Sequence, residues 1–189
     1  MDPSPATSVS HNTLAESLGG RSVALVGLMG SGKTTVGRRL AAALGLPFRD
    51  ADAEIEEAAG RSVSDIFADL GEPEFRAGER RVIARLVGEG PLVLATGGGA
   101  YIDPDTRALL RERAITIWLK ADIDVLVKRV ARRDTRPLLR DKDPAQVLSA
   151  LAEKRNPIYA EADIVVDTPD SAHDMAVERI VEALKAYLG

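Results

Sequence analysis

No cysteine occurs among the 189 residues, which excludes disulfides, thiolate metal sites and cysteine nucleophiles. Aromatic residues make up only 4% of the chain, too few for a platform on which nucleic-acid bases stack. Positive charge is not in excess either. The 25 Lys and Arg stand against 29 Asp and Glu, a formal charge of −4, which argues against nucleic acid as the main partner. No apolar run approaches the ~20 residues that a membrane-spanning helix needs, so no membrane role is expected. The first 20 residues, MDPSPATSVSHNTLAESLGG, lack both the apolar segment of a secretory signal and the arginines of a transit peptide. They are expected to form a flexible N-terminal extension with a short helix around 13–18, and cytoplasm is the expected compartment.

What remains is a globular chain of ordinary apolar content, 45% hydrophobic. Its length suits one domain that buries about 70% of its unfolded surface. Its 19 Arg against 6 Lys fit either codon bias or anionic substrates, which a planar guanidinium grips bidentately. From residue 22 onward, short apolar runs alternate with longer amphipathic stretches. Strands are predicted at 23–26, 46–49, 92–95, 115–119 and 164–166. Helices are predicted at 32–44, 53–59, 62–70, 73–87, 104–113, 122–132, 144–159 and 171–188. Strands separated by helices predict a parallel sheet covered on both faces. The expected architecture is a single three-layer α/β/α domain over 21–189 with a five-stranded parallel sheet, and a monomer is the expected state.

The segment 27–34 reads GLMGSGKT and matches G-x-x-x-x-G-K-[ST], with an apolar strand before it and a helix after it. Glycines let the loop turn its amide N–H groups inward around phosphate oxygens, and the helix N-terminus adds partial positive charge. Lys33 can bridge the β- and γ-phosphates, and Thr34 can offer its hydroxyl to Mg²⁺. The motif predicts binding of a nucleoside triphosphate on a P-loop NTPase fold. No N-K-x-D guanine motif is present and the chain has no room for power-stroke domains, so a small-molecule kinase is favoured.

Other segments bear on the acceptor. Asp50 and Asp52 follow the second strand, on the carboxyl edge where α/β sites form. In an extended segment both would face one side, one toward magnesium and one toward an acceptor hydroxyl. Helix capping explains the same residues equally well. Thr96-Gly97-Gly98-Gly99 follows the third strand, and three glycines exceed what a turn requires. Arg76 and Arg155 sit on helices, and their spacing gives no reason for them to converge; solvated charges, with Arg76 paired to Glu72 or Glu79, describe them as well. Residues 128–143 carry seven Lys and Arg against three Asp. Such a segment fits a lid over phosphates, about 131–143, with Arg136 held extended by Pro137.

Together GLMGSGKTT, F-x-D-x-D at 48–52, G-E-x-x-F-R at 71–76, the glycine triplet 97–99, R-P-L-L at 136–139 and R-x-x-x-Y at 155–159 resemble the shikimate kinase family, in that family's order. The resemblance implies transfer of the ATP γ-phosphoryl group to the 3-hydroxyl of shikimate, with Mg²⁺, in aromatic amino acid biosynthesis. It implies that Lys33, Asp52 and Arg136 are catalytic, with Asp52 at the acceptor hydroxyl and Arg136 on the lid. Gly30, Ser31, Gly32, Lys33, Thr34, Thr35, Arg129 and Arg136 would hold ATP, Arg129 packing on adenine beside a loop at 167–170. Asp52, Arg76, Gly97, Gly98, Gly99 and Arg155 would bind shikimate within a segment of about 50–80 and its neighbours. Thr34 and Asp50 would serve the metal. Two rivals are a small kinase acting on gluconate and a nucleotide-binding regulatory module without catalysis.

Overall fold

The computed structural model describes residues 14–132, 139, 141–170 and 173–189. Its sheet has five strands: β1 (Ser22–Val26), β2 (Phe48–Asp50), β3 (Val93–Ala95), β4 (Ala114–Lys120) and β5 (Ile164–Asp167). Their order is β2-β3-β1-β4-β5. All four pairings are parallel, with Val23 opposite Val93 on one flank of β1 and Ile115 on the other. The central strand β1 is buried along its whole length, as expected for a strand covered on both faces.

Seven helices of the described residues cover the sheet: α1 (Lys33–Leu44), α2 (Ala51–Ala59), α3 (Val63–Gly88), α4 (Pro104–Arg113), α5 (Ile123–Ala131), α6 (Pro144–Tyr159) and α7 (His173–Leu188). Side chains alternate across a strand, and the core divides accordingly. Val23 and Leu25 pack with Val36, Leu40 and Leu44 of α1 and Ile180 and Leu184 of α7. Ala24 and Val26 face the other layer, with Ile83, Leu110, Leu126 and Leu148 from α3, α4, α5 and α6. A small third cluster, Ile55, Ile66 and Phe75, ties α2 to α3.

The α3 segment bears out two predicted helices. Ser62 caps its start through a bond from the Asp65 amide, 3.1 Å. Gly71, at φ 80° and ψ 171°, breaks the helical path between two arms. Those angles are open to glycine and strained for any side chain, and Pro73 then enters the first turn of the second arm, where its missing N–H costs nothing.

Most boundaries fall within two residues of expectation, and three departures have a physical reason. The β2 ladder starts at Phe48 rather than 46, since Pro47 has no N–H to donate. Helix α2 begins at Ala51 rather than 53, because Asp50 caps it, accepting from the amides of Asp52 (3.0 Å) and Ala53 (3.3 Å). The packed unit also begins before residue 21. The expected short helix is present at residues 14–17, but it is packed rather than flexible, with Leu14 and Leu18 buried against the α1 and α7 layer. The rest of the expected extension, 1–13, lies outside the described residues. So do residues 133–138 and 140 of the expected lid, Arg136 among them. No helix of the described residues is long and apolar enough to cross a membrane.

Candidate active site

The site forms where β1, β2 and β3 end. The loop between β1 and α1 curls through Gly27, Gly30 and Gly32, all at positive φ (144°, 81° and 92°). At Gly27 a side chain would stand 2.8 Å from the Leu119 carbonyl oxygen, so no other residue keeps this path. Lys33 is buried, its ammonium donating to the carbonyls of Gly27 (2.7 Å) and Leu28 (3.0 Å). The Thr34 hydroxyl donates to Asp50 Oδ2 at 2.7 Å.

Asp50 is thus the helix cap that its sequence position allowed, through one carboxylate oxygen, and its other oxygen receives Thr34, a bond the sequence did not suggest. The expectation that Asp50 and Asp52 share a face of an extended segment is corrected. Asp52 lies in the first turn of α2, because the cap at Asp50 turns the chain helical. Both carboxylates nevertheless line one cavity with Lys33, Thr34, Thr35 and Gly97. Asp52 is at the far side of Gly97, its Oδ1 2.8 Å from where a side chain there would begin.

The glycine triplet is a crossroads. At Gly97 a side chain would also meet Glu79 Oε2 at 3.3 Å, at Gly98 Arg155 Nη1 at 3.4 Å, and at Gly99 Arg76 Nη2 at 2.2 Å. Arg76 and Arg155, which nothing in their spacing brought together, line one pocket with Gly99, Glu72 and Asp103. Arg76 has the partners its spacing allowed, Glu72 at 3.5 Å and Glu79, but it is not solvated. Its side chain is 19% exposed and pairs with Glu79 Oε1 at 2.7 Å, and the guanidinium lies over the rings of Phe75 (5.2 Å) and Phe67 (5.9 Å). Glu79 is 1% exposed, and its Oε2 has no hydrogen-bond partner among the described residues. Burial pushes its carboxyl above the ordinary value, while Arg76 pulls it down. The Tyr159 hydroxyl donates to the Gly98 carbonyl and fastens the triplet to α6. Burial pushes its pKa to about 12, so it stays a donor, with Arg155 beside it pulling the other way.

On the opposite flank of β1, Arg129 of α5 donates from Nη1 to the carbonyls of Gly30 (3.3 Å) and Ser31 (3.2 Å) and from Nη2 to Pro169 (3.4 Å). It thus joins the phosphate loop to the stretch after β5. Arg132 and His173 complete that end of the cavity. Asp52, Arg76 and the glycine triplet follow β2 and β3, whereas Arg129, Arg132 and His173 follow β4 and β5; Arg155, on α6, reaches across to the first group.

A model of the family described as "Shikimate kinase" matches residues 29–185. The chain belongs to the shikimate kinase family. The shikimate kinase of Caulobacter vibrioides (strain NA1000 / CB15N) is 62% identical over 165 residues, 87% of this chain and 82% of the relative. That of Nitrobacter winogradskyi is 52% identical over 188 residues, covering 100% of this chain and 88% of the relative. Among solved structures, the shikimate kinase from Acinetobacter baumannii in complex with shikimate superposes with a TM-score of 0.86 at 37% identity, over 92% of this chain and 97% of that one. Membership makes the chain an ATP-dependent kinase with the expected fold.

In this shikimate kinase family member, no group of three or more His, Asp or Glu among the described residues could hold a metal by itself. The Thr34–Asp50 pair instead offers oxygen donors beside the phosphate loop. That suits magnesium, which is commonly held by one or two carboxylates together with substrate phosphates. Sequence reading passed over two residues. Tyr159 was noted only as the end of a motif, although its 155–159 spacing puts it one helical turn from Arg155. His173 carried no local signal, since only the strand order brings it to the phosphate loop.

Proposed function

We propose that the protein transfers the γ-phosphoryl group of ATP to the 3-hydroxyl of shikimate, giving shikimate 3-phosphate, on the route to chorismate and the aromatic amino acids. The observation that carries this reading is the convergence of Arg76, Arg155 and the Gly97–Gly99 run beside Asp52, next to a phosphate loop. Shikimate has one carboxylate and three hydroxyls. Two guanidinium groups suit the first, and a carboxylate with backbone amides suits the others. The family membership and the shikimate-bound relative at 37% identity support the same assignment.

In this mechanism the amides of Gly30 to Thr35 and the ammonium of Lys33 cradle the phosphates, Lys33 exchanging its loop carbonyls for phosphate oxygens. Thr34 and Asp50 would hold Mg²⁺, which when bound offsets phosphate charge. Arg76 and Arg155 fix the carboxylate of shikimate and thereby aim its ring. Asp52 accepts a hydrogen bond from the 3-hydroxyl and takes its proton as the new P–O bond forms and the bond to the β-phosphate oxygen breaks. The transition state is loose and its charge is spread over phosphoryl oxygens, so positioning and cation placement supply most of the acceleration. Arg136 would add a cation from the lid as it closes, and Arg129 would pack on adenine.

The test is an ADP-release assay with shikimate and with gluconate as acceptors. Turnover with shikimate and none with gluconate is expected; turnover with gluconate alone refutes the assignment. Asp52→Asn should abolish turnover while nucleotide affinity stays within about threefold, as expected for a group that acts on the acceptor.

A further inference from the structure

The β4–β5 end of the site holds a titratable group that this mechanism leaves unused. His173 opens α7, is partly buried, and lines the nucleotide cavity with Lys33, Thr35, Arg129 and Arg132. Its Cε1 and Nδ1 each lie 3.6 Å from the point where a Gly32 side chain would begin. Gly32 immediately precedes Lys33, so the imidazole stands against the loop proposed to seat the phosphates.

The charges around it come from four elements. From α1 come Lys33, bonded to loop carbonyls, and Arg39, paired with Asp174 at 2.8 Å. From α5 and the residue that ends it come Lys128, paired with Asp170 at 3.5 Å, and the cations Arg129 and Arg132. The stretch after β5 adds Asp170, and Asp167 ends β5 itself, its carbonyl taking a bond from Arg179 of α7. Helix α7 also carries Asp174 and Glu178. The nearby Asp170 and Asp174 are thus engaged by Lys128 and Arg39, while Asp50, bonded to Thr34, and Asp52, beside Gly97, line the same cavity. The cavity wall next to His173 is cationic, and a polyanion in the cavity reverses the local balance in favour of the imidazolium.

We propose that His173 supplies a proton-dependent positive charge to the phosphate chain of the nucleotide, so that nucleotide binding takes up a proton. This rests on the nucleotide site proposed above and adds a pH dependence to it. Imidazole is the side chain whose ordinary titration falls between about pH 5 and about pH 8, and linkage makes the coupling reciprocal: nucleotide promotes protonation as much as protonation promotes nucleotide binding.

The chain has two histidines, His11 and His173, so proton NMR of the whole protein reads the imidazoles directly, and His173→Gln assigns the second signal. The expected result is an upward move of that signal's midpoint by about one pH unit on adding a non-hydrolysable ATP analogue with Mg²⁺, equivalent to about tenfold in affinity. In parallel, the Kd of His173→Gln divided by that of the parent should climb from near one at about pH 8.5 to about ten at about pH 5.5. Taking the ratio removes the nucleotide's own titration. His173→Lys, charged throughout, should hold the tighter affinity up to the highest pH. An unmoved midpoint with a flat ratio overturns the proposal, and so does a ratio above one that ignores pH, since that is a neutral contact. Absence of binding by parent and variant alike at every pH overturns the nucleotide reading itself.

Discussion

Replacing Gly99 with alanine tests the carboxylate clamp through a single methyl group. Gly99 sits at φ −96° and ψ −6°, a conformation any L-residue adopts, so the backbone is not strained. The new Cβ would stand 2.2 Å from Arg76 Nη2, 2.7 Å from Cζ and 2.9 Å from Nη1. An ordinary contact begins near 3.4 Å, so the guanidinium must retreat by about 1.2 Å. Its retreat is opposed by the 2.7 Å bond to Glu79 and by the Phe67 and Phe75 rings. A displaced guanidinium keeps its charge but loses its hydrogen-bond geometry to the carboxylate. Bonds to charged groups are worth about 1.5–3 kcal/mol, or about 10- to 150-fold. In the ADP-release assay the KM for shikimate should rise by that factor, while the KM for ATP stays within about twofold because the nucleotide groups leave other strands. The melting temperature should change by only a few degrees, since a flexible side-chain end absorbs the clash. Gly98→Ala is the control: its nearest neighbour, Arg155 Nη1, lies at 3.4 Å, and its effect should be smaller. A shikimate KM within about twofold of the parent for folded Gly99→Ala refutes the placement of Arg76.

Glu79 gives a pH signature. Because burial holds its carboxyl above the ordinary 4.5, the folded chain binds this proton more readily than the unfolded one. The stability from that proton is present below pH 4.5 and falls as pH rises toward the folded midpoint. Urea unfolding should show the parent losing stability relative to Glu79→Gln above that pH; a difference constant from about pH 4 to about pH 7 contradicts it. Tyr159→Phe leaves the Gly98 carbonyl without its side-chain donor and should cost about 1–3 kcal/mol, with a rise in the shikimate KM. Leu18→Ala should cost about 2–5 kcal/mol in chemical denaturation, because Leu18 is fully buried; an unchanged midpoint would mean that residues 14–20 are dispensable to the fold.

Much of this was legible in the sequence because the signals are local. A phosphate loop needs glycines at fixed offsets from its lysine, and the break at Gly71 followed by Pro73 is readable from two residues. The boundary of α2 was misjudged because Asp50 serves two masters, a helix cap and a threonine hydroxyl, and sequence alone cannot weigh a bond from Thr34, 16 residues away. Arg76 and Arg155 could be assigned only through the family resemblance. Their meeting depends on α3 and α6 both packing against the segment that follows β3, contacts across dozens of residues that no local spacing encodes. Leu14 and Leu18 went the same way: in a polar, Ser- and Pro-containing stretch, two leucines four apart are a weak helical signal until α1 and α7 supply the surface that covers them.

The strand order has an evolutionary corollary. Most of the proposed acceptor end (Asp52, Arg76 and the glycine triplet) follows β2 and β3, Arg129 and His173 follow β4 and β5, and Arg155 on α6 is the one part of the proposed clamp that comes from the second half of the sheet. Substitutions that re-aim the clamp at a different small acid can therefore accumulate mainly after β2 and β3, with α6 changing in step through Arg155, while the loop after β1 is inherited intact. Selection can redraw the substrate without relearning how to spend ATP.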